Sequence, residues 1–199
     1  MRPLRAIPSA LAVLLLPALA AAGVIQATVT AAPNSGDPDQ AAWIYTMDVT
    51  WDTGTPYGLS HFNLYLDPAD FGCGCQEIAS SLSWGETVGV TAGEPGGCSL
   101  PFTAELNCSG DPSIGLDGIV LKFEPVEEGC EAGPTGQVTV TFSSPYPPGD
   151  IAEPNTFLTD KYGQLVGTGS LTGVFPALAC DPVSADALCW GDVKARYGR

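Results

Sequence analysis

Basic residues and histidine are scarce in this sequence. Lysine and arginine together number 7 against 22 aspartates and glutamates, which gives a formal net charge of −15. Such a chain repels the phosphates of nucleic acids and of anionic membranes, so we predict no nucleic-acid partner. The single histidine, His61, leaves too few imidazoles for a blue-copper site or a zinc motif built on paired histidines. We therefore predict no metal site and no cofactor, and the sequence leaves open only a calcium site assembled from separate loops.

Long apolar runs are also lacking after the N-terminal segment. The run Leu11–Leu19 follows two arginines and precedes small residues in "MRPLRAIPSALAVLLLPALAAAG". This order is typical of a secretory signal peptide, and the run is shorter than the ~20 residues that a transmembrane helix needs. We predict that residues 1–22 are removed, that no transmembrane segment remains, and that the protein is secreted or associated with the cell surface.

Recognisable catalytic motifs are missing as well. The sequence has no G-x-S-x-G elbow, no H-E-x-x-H motif and no phosphate-binding loop. Ser60 and His61 are neighbours in a predicted strand, where successive side chains point to opposite faces, so we predict that they do not act as a nucleophile and base. We expect His61 to lie on the polar face of its strand, either solvated or hydrogen-bonded. The acidic residues are too many to single out a catalytic pair, and turns and solubility account for most of them.

Seven cysteines are present, and in an exported protein they favour disulfides. Cys73 and Cys75 flank one glycine, and a direct bond between them would be strained, so each should have a different partner. Cys180 and Cys189 flank a short loop, and we predict that they pair. Two further bridges and one spare thiol are then expected among Cys73, Cys75, Cys98, Cys108 and Cys130. We expect the spare thiol to be buried, and the alternative is a bond to another molecule.

Apolar and polar residues alternate with a period of two in many segments. In "AWIYTMDVTW" the large side chains Trp43, Tyr45, Met47, Val49 and Trp51 share one face. The segments "SHFNLYL", "GIVLKFE" and "GQVTVTFSS" repeat this pattern, and turn residues separate them. The patterns predict an all-β protein, and specifically an antiparallel, immunoglobulin-like β-sandwich of about 8 to 10 strands with a short C-terminal helix or tail.

Length and composition suggest one domain. We predict a β-sandwich domain at residues 23–179, followed at residues 180–199 by a disulfide-closed loop and a basic tail. The segment "SADALCWGDVKARY" within that tail resembles a helix. We expect the protein to be a monomer.

The exposed aromatic residues give the only binding hypothesis. Tyr57 in "TGTPYGLS" and Tyr146 in "SSPYPPGD" lie in turn-rich segments, where they would form an aromatic platform for a ligand. We predict a secreted, non-catalytic interaction or structural module whose partner is a protein or polysaccharide at a cell surface. The alternatives are a carbohydrate-binding module and a small extracellular hydrolase that uses carboxylates.

Overall fold

The computed structural model describes residues 23–35, 41–66, 73–85, 87–92, 97–151 and 156–178. The predicted signal peptide at 1–22 and the predicted tail at 180–199 lie outside the described residues. The elements within these ranges are β1 (Val24–Pro33), β2 (Trp43–Asp52), β3 (His61–Leu66), α1 (Cys75–Ser81), β4 (Ser83–Trp84), β5 (Thr87–Ala92), β6 (Cys98–Asn107), β7 (Ile119–Pro125), β8 (Thr135–Ser144), β9 (Pro148–Asp150), β10 (Thr156–Tyr162) and β11 (Leu165–Pro176).

Nine of these strands form a closed, mixed barrel. Their order around the barrel is β1, β2, β8, β5, β6, β7, β3, β10 and β11, and β11 then pairs with β1. The closing pair is parallel, from Gln26 opposite Ser170 to Val29 opposite Gly173, and the other pairs of the ring are antiparallel. The two short strands β4 and β9 pair with β8 and β11 respectively.

The predicted immunoglobulin-like sandwich is wrong, because the sheet closes on itself. In a sandwich two separate sheets pack face to face, whereas here β1 has β2 on one side and β11 on the other. A sandwich and a barrel both have one apolar and one polar face along each strand, so the same alternation is compatible with either architecture. What distinguishes them is the pairing of the first barrel strand with the last.

Large apolar side chains fill the interior of the barrel, as the alternation predicted. The inward-facing residues of β2 that are at most 3% exposed are Tyr45, Met47, Val49 and Trp51. Phe62 and Phe123 stack across neighbouring strands with ring centroids 4.6 Å apart, and Tyr45 stacks on Phe142 at 5.1 Å. Offset-stacked rings of this kind add to the stabilisation that comes from buried area.

Glycines on β11 allow the barrel to close. A Cβ atom at Gly169 would overlap Ile25, and one at Gly173 would overlap the backbone of Val29 on the neighbouring strand. Gly173 also has a φ of +101°, a conformation that other residues rarely adopt. The seam between β1 and β11 therefore depends on positions that have no side chain.

Candidate functional site

A groove opens at the end of the barrel where β2 and β10 finish and β3 begins. It encloses about 490 Å³, which is within the usual range for small-molecule sites. Its lining includes the carboxylates of Glu124, Glu127 and Glu131, the residue Ser60 and the glycines Gly58 and Gly163. The groove is polar and acidic.

Tyr57 stands at the edge of this groove and is 58% exposed. It precedes Gly58, and its ring lies over Gly163, where a Cβ atom would be 3.4 Å from the ring carbon Cγ. The turn that carries it is well ordered: the buried Thr53 donates a hydrogen bond from its hydroxyl to the Tyr57 carbonyl at 2.8 Å. The Tyr57 N–H in turn donates to the hydroxyl of Thr55 at 3.2 Å. The turn thus fixes the backbone that carries the ring, and the ring itself packs over Gly163.

Tyr146, the other predicted binding residue, lies at the opposite end of the barrel. It follows β8, which runs antiparallel to β2, and its half-buried ring packs against the core. Its carbonyl accepts a hydrogen bond from the Tyr45 hydroxyl at 2.8 Å. Tyr57 and Tyr146 therefore do not form one platform, and of the two it is Tyr57 that borders the acidic groove.

A buried polar cluster covers the outer face of the barrel beside the groove. Residues 108–118 connect β6 to β7 and fold back over β3, bringing Asp111 to His61 and Asn63, and these three residues are at most 3% exposed. The Asp111 Oδ2 atom lies 2.9 Å from His61 Nε2 and accepts a hydrogen bond from the Asn63 amide at 3.2 Å. The His61 contact is electrostatic, because the ring N–H is not aligned on the carboxylate oxygen. Of the two alternatives predicted for His61, the solvated one is wrong, since the loop covers this polar face and leaves His61 2% exposed beside Asp111.

Downward shifts of both pKa values keep this cluster in one charge state. Burial lowers the pKa of His61, the positive charge of Lys122 lowers it further, and these effects outweigh the attraction of Asp111. Burial by itself would raise the pKa of Asp111, but hydrogen bonds from Ser113, the neighbouring His61 and the Asn63 amide together lower it. The cluster at neutral pH is thus a neutral imidazole beside an ionised carboxylate, with the Lys122 ammonium 3.8 Å from Asp111 Oδ2.

Ser60 connects the buried cluster to the groove. Its side chain is exposed, and its Oγ atom lies 3.4 Å from Nδ1 of His61. The prediction that these neighbours point apart is wrong, because Ser60 precedes the first residue of β3 and strand alternation does not apply to it. The chain of contacts therefore runs from the groove through Ser60 and His61 to Asp111.

Two disulfides fix the connections around these elements. Cys75 in α1 bonds to Cys108 at the start of the Asp111 loop, and Cys98 bonds to Cys130. Cys73 is buried and also disulfide-bonded, so the expected spare thiol is not one of these five cysteines. Cys180 and Cys189, which we predicted to pair, lie outside the described residues.

Within the described ranges, no group of three or more histidine, cysteine, aspartate or glutamate side chains is arranged to hold a metal ion. Among the same described residues, no helix has the length and apolar character that a membrane span requires.

A second buried carboxylate, Asp160, points into the barrel. It is 0% exposed, and its side chain lies against Gly167 on β11, where a Cβ atom would overlap its Oδ1. Among the described residues neither carboxylate oxygen has a hydrogen-bond partner of good geometry. Burial raises the pKa of Asp160, and this outweighs the weaker effect of nearby backbone N–H groups. The alternation of apolar and polar residues predicted apolar side chains in the interior, and it did not predict the inward-facing carboxylate of Asp160.

Comparison with known proteins adds no relative. The chain matches no protein-family model, and none of the curated proteins is significantly similar to it in sequence.

Proposed function

We propose that the protein is a secreted binding module that holds a polyhydroxylated ligand, of the saccharide class, in the groove beside Tyr57. The observation that carries this proposal is the placement of Tyr57, whose exposed ring is held by an ordered turn at the edge of an acidic groove. A flat aromatic face buries the apolar C–H face of a sugar ring, and the phenol hydroxyl stays at the wet rim.

The carboxylates of the groove suit the hydroxyl groups of such a ligand. Glu127 and Glu131 are exposed, and an ionised carboxylate offers only acceptors to the hydroxyl donors of a sugar. Glu124 is already engaged by the Lys122 ammonium at 2.6 Å, so it contributes less. The acidic lining and the net charge of −15 disfavour an anionic ligand, which makes neutral saccharides the better fit.

The extracellular location in this proposal rests mainly on the N-terminal sequence. The two disulfides among the described residues are compatible with an oxidising compartment outside the cytosol.

Saccharide binding is tested with a glycan array followed by titration calorimetry on the purified protein. We expect saturable binding to a narrow set of glycans, and we expect Tyr57→Ala to weaken it at least about tenfold, or roughly 1.4 kcal/mol. The matched control is Val90→Ala, which removes another exposed apolar side chain, 44% exposed, from a strand that does not line the groove.

Equal losses in both variants, or full binding by Tyr57→Ala, contradict the proposed site. Failure to bind any glycan contradicts the ligand class and favours a protein partner at the same surface.

A further inference from the structure

A chain of three side chains leads from the groove into the barrel wall. Ser60 is an exposed residue that lines the groove, and its Oγ atom lies 3.4 Å from His61 Nδ1. On the other side of the ring, His61 Nε2 is 2.9 Å from Asp111 Oδ2. We propose that Ser60 is a nucleophile activated by His61 and Asp111, and that the groove hydrolyses a carboxylic ester. This inference goes beyond ligand binding and does not depend on the ligand being a saccharide.

Asp111 is held firmly enough to position the imidazole. The backbone N–H of Ser113 donates to its Oδ1 at 2.9 Å, and the Asn63 amide donates to its Oδ2 at 3.2 Å. An ionised carboxylate at Nε2 favours the tautomer with the proton on Nε2, which leaves the lone pair of Nδ1 facing Ser60. Asp111 thus acts as a positioning residue, while Ser60 and His61 are the catalytic residues. The Ser60 contact is long and the His61 Nε2 contact is poorly aligned, which is common in catalytic groups before a substrate is bound.

The protonation state of His61 fits the role of a base. The groups that face it are Asp111 from the covering loop, Lys122 and Glu124 from β7, and Lys161 from β10. Burial and Lys122 lower the pKa of His61, so the imidazole is neutral and able to accept a proton at neutral pH.

The reaction balances without any further reactant than water. Ser60 Oγ attacks the carbonyl carbon of the ester while its proton passes to His61 Nδ1, and a tetrahedral intermediate forms. The bond from carbon to the alkoxide oxygen then breaks, and His61 returns the proton to that leaving oxygen. Water then gives a proton to the same nitrogen and attacks the carbonyl carbon of the acyl-serine, which forms a second tetrahedral intermediate. When this intermediate collapses, the carboxylic acid leaves and His61 returns the proton to Ser60 Oγ.

The backbone around Ser60 predicts a slow enzyme. The Ser60 N–H donates to the Lys161 carbonyl at 2.7 Å, and the Leu59 N–H donates to the Gly133 carbonyl at 3.3 Å. Neither group is free to stabilise the oxyanion, a contribution that is often the largest in ester hydrolysis. Covalent labelling of Ser60 is therefore a better readout than turnover.

The test uses a fluorophosphonate probe, which loses fluoride to an activated serine and leaves a stable phosphonyl adduct. We expect one adduct per chain by intact mass, located on the peptide that contains Ser60, and we expect none in Ser60→Ala. The control Ser170→Ala removes another exposed serine, on β11, and should label at the wild-type rate.

The relay is tested by the labelling rate of His61→Gln and Asp111→Asn, measured at a temperature where both variants are shown to be folded by circular dichroism. We expect losses of about 100-fold for His61→Gln and on the order of 10- to 100-fold for Asp111→Asn. The wild-type rate should rise with pH through the titration of His61, as followed by NMR, and Asp111→Asn should shift that profile to lower pH.

Three results overturn the inference: no adduct in the wild-type protein with excess probe, an adduct on another residue, or a labelling rate that Asp111→Asn leaves unchanged. Each is distinguishable from failure of the saccharide proposal, because the probe carries no sugar.

Discussion

Two buried carboxylates, Asp111 and Asp160, lie on opposite sides of the same barrel wall. Asp111 is on the outer face, where His61, Asn63, Ser113 and the more distant Lys122 surround it, and its pKa is lowered. Asp160 is on the inner face with no well-aligned donor among the described residues, and its pKa is raised. Both are at most 3% exposed, so burial alone does not decide the charge of an acid. The difference lies in the donors around it.

The comparison also relates structure to chemistry. The satisfied carboxylate lies beside the groove and positions a histidine, whereas the unsatisfied one lies in the apolar interior and contacts a glycine. A polar group that folding leaves unpaired lowers stability, and one that folding surrounds with donors adds to it.

The largest effect should come from removing the charge of Asp111. Asp111→Asn leaves the buried His61 and Asn63 without their carboxylate, although Lys122 keeps Glu124 at 2.6 Å. We expect a loss of about 3 kcal/mol in the free energy of unfolding at pH 7, measured by urea denaturation. Because the folded pKa of Asp111 is lowered, its contribution is present above the ordinary aspartate pKa and is lost as the pH falls through the folded value. The deficit should therefore shrink in acid. The exposed Asp117 of the same loop is the control, and an equal loss in Asp117→Asn would show a general charge effect instead.

A smaller effect of opposite sign should follow from Asp160→Asn. This variant removes a charge that folding desolvates without compensation, so we expect a gain of about 1 to 2 kcal/mol at pH 7. Since the folded pKa of Asp160 is raised, its penalty is absent below the ordinary aspartate pKa and grows as the pH rises to the folded value. The stabilisation should accordingly vanish near pH 3. A variant that is less stable than wild type at pH 7 would mean that Asp160 is paired in solution, and Asp150→Asn, at an exposed site, gives the baseline.

The smallest effect concerns the titration of His61, the only histidine of the chain. Its NMR midpoint should lie below 6.5, because burial and Lys122 disfavour the imidazolium more than Asp111 and Glu124 favour it. The unfolded chain then binds more protons between the two pKa values, so acidification through that window lowers stability slightly. Lys122→Met should raise the midpoint. A wild-type midpoint above 6.5 would mean that the attraction of Asp111 dominates, and would remove the neutral base that Ser60 needs.

Local patterns predicted the strands but not how they are arranged. The alternation of apolar and polar residues on β2 and β8 identified their buried faces, because this pattern depends only on the residues within each strand. Barrel closure depends instead on β1 meeting β11, and its only local sign is the repeated glycine in "LVGTGSLTG", which also occurs in turns. The helix α1 was missed because its seven residues are too few for a periodic pattern.

The candidate site was only half predictable for a related reason. Tyr57 was found from turn chemistry, since proline and glycine beside it indicate an exposed loop. The pairing of His61 with Asp111 spans β3 and the loop after β6, and nothing in either segment indicates that one covers the other. The contact between Ser60 and His61 was excluded because successive side chains of a strand point to opposite faces. That rule does not apply to Ser60, since β3 begins only at His61.

Closure of the barrel by its first and last strands has a consequence for how the chain matures. At the seam the hydroxyls of Thr28 and Thr172 lie 3.2 Å apart, yet 144 residues separate them in sequence. Until β11 is available, β1 and β10 each present an unpaired row of backbone donors and acceptors, which is a template for joining other chains. Loop closure over this distance also makes the seam a slow, late event in folding. A chain passed through a membrane from its N-terminus would thus remain open and vulnerable to aggregation until almost its full length had emerged.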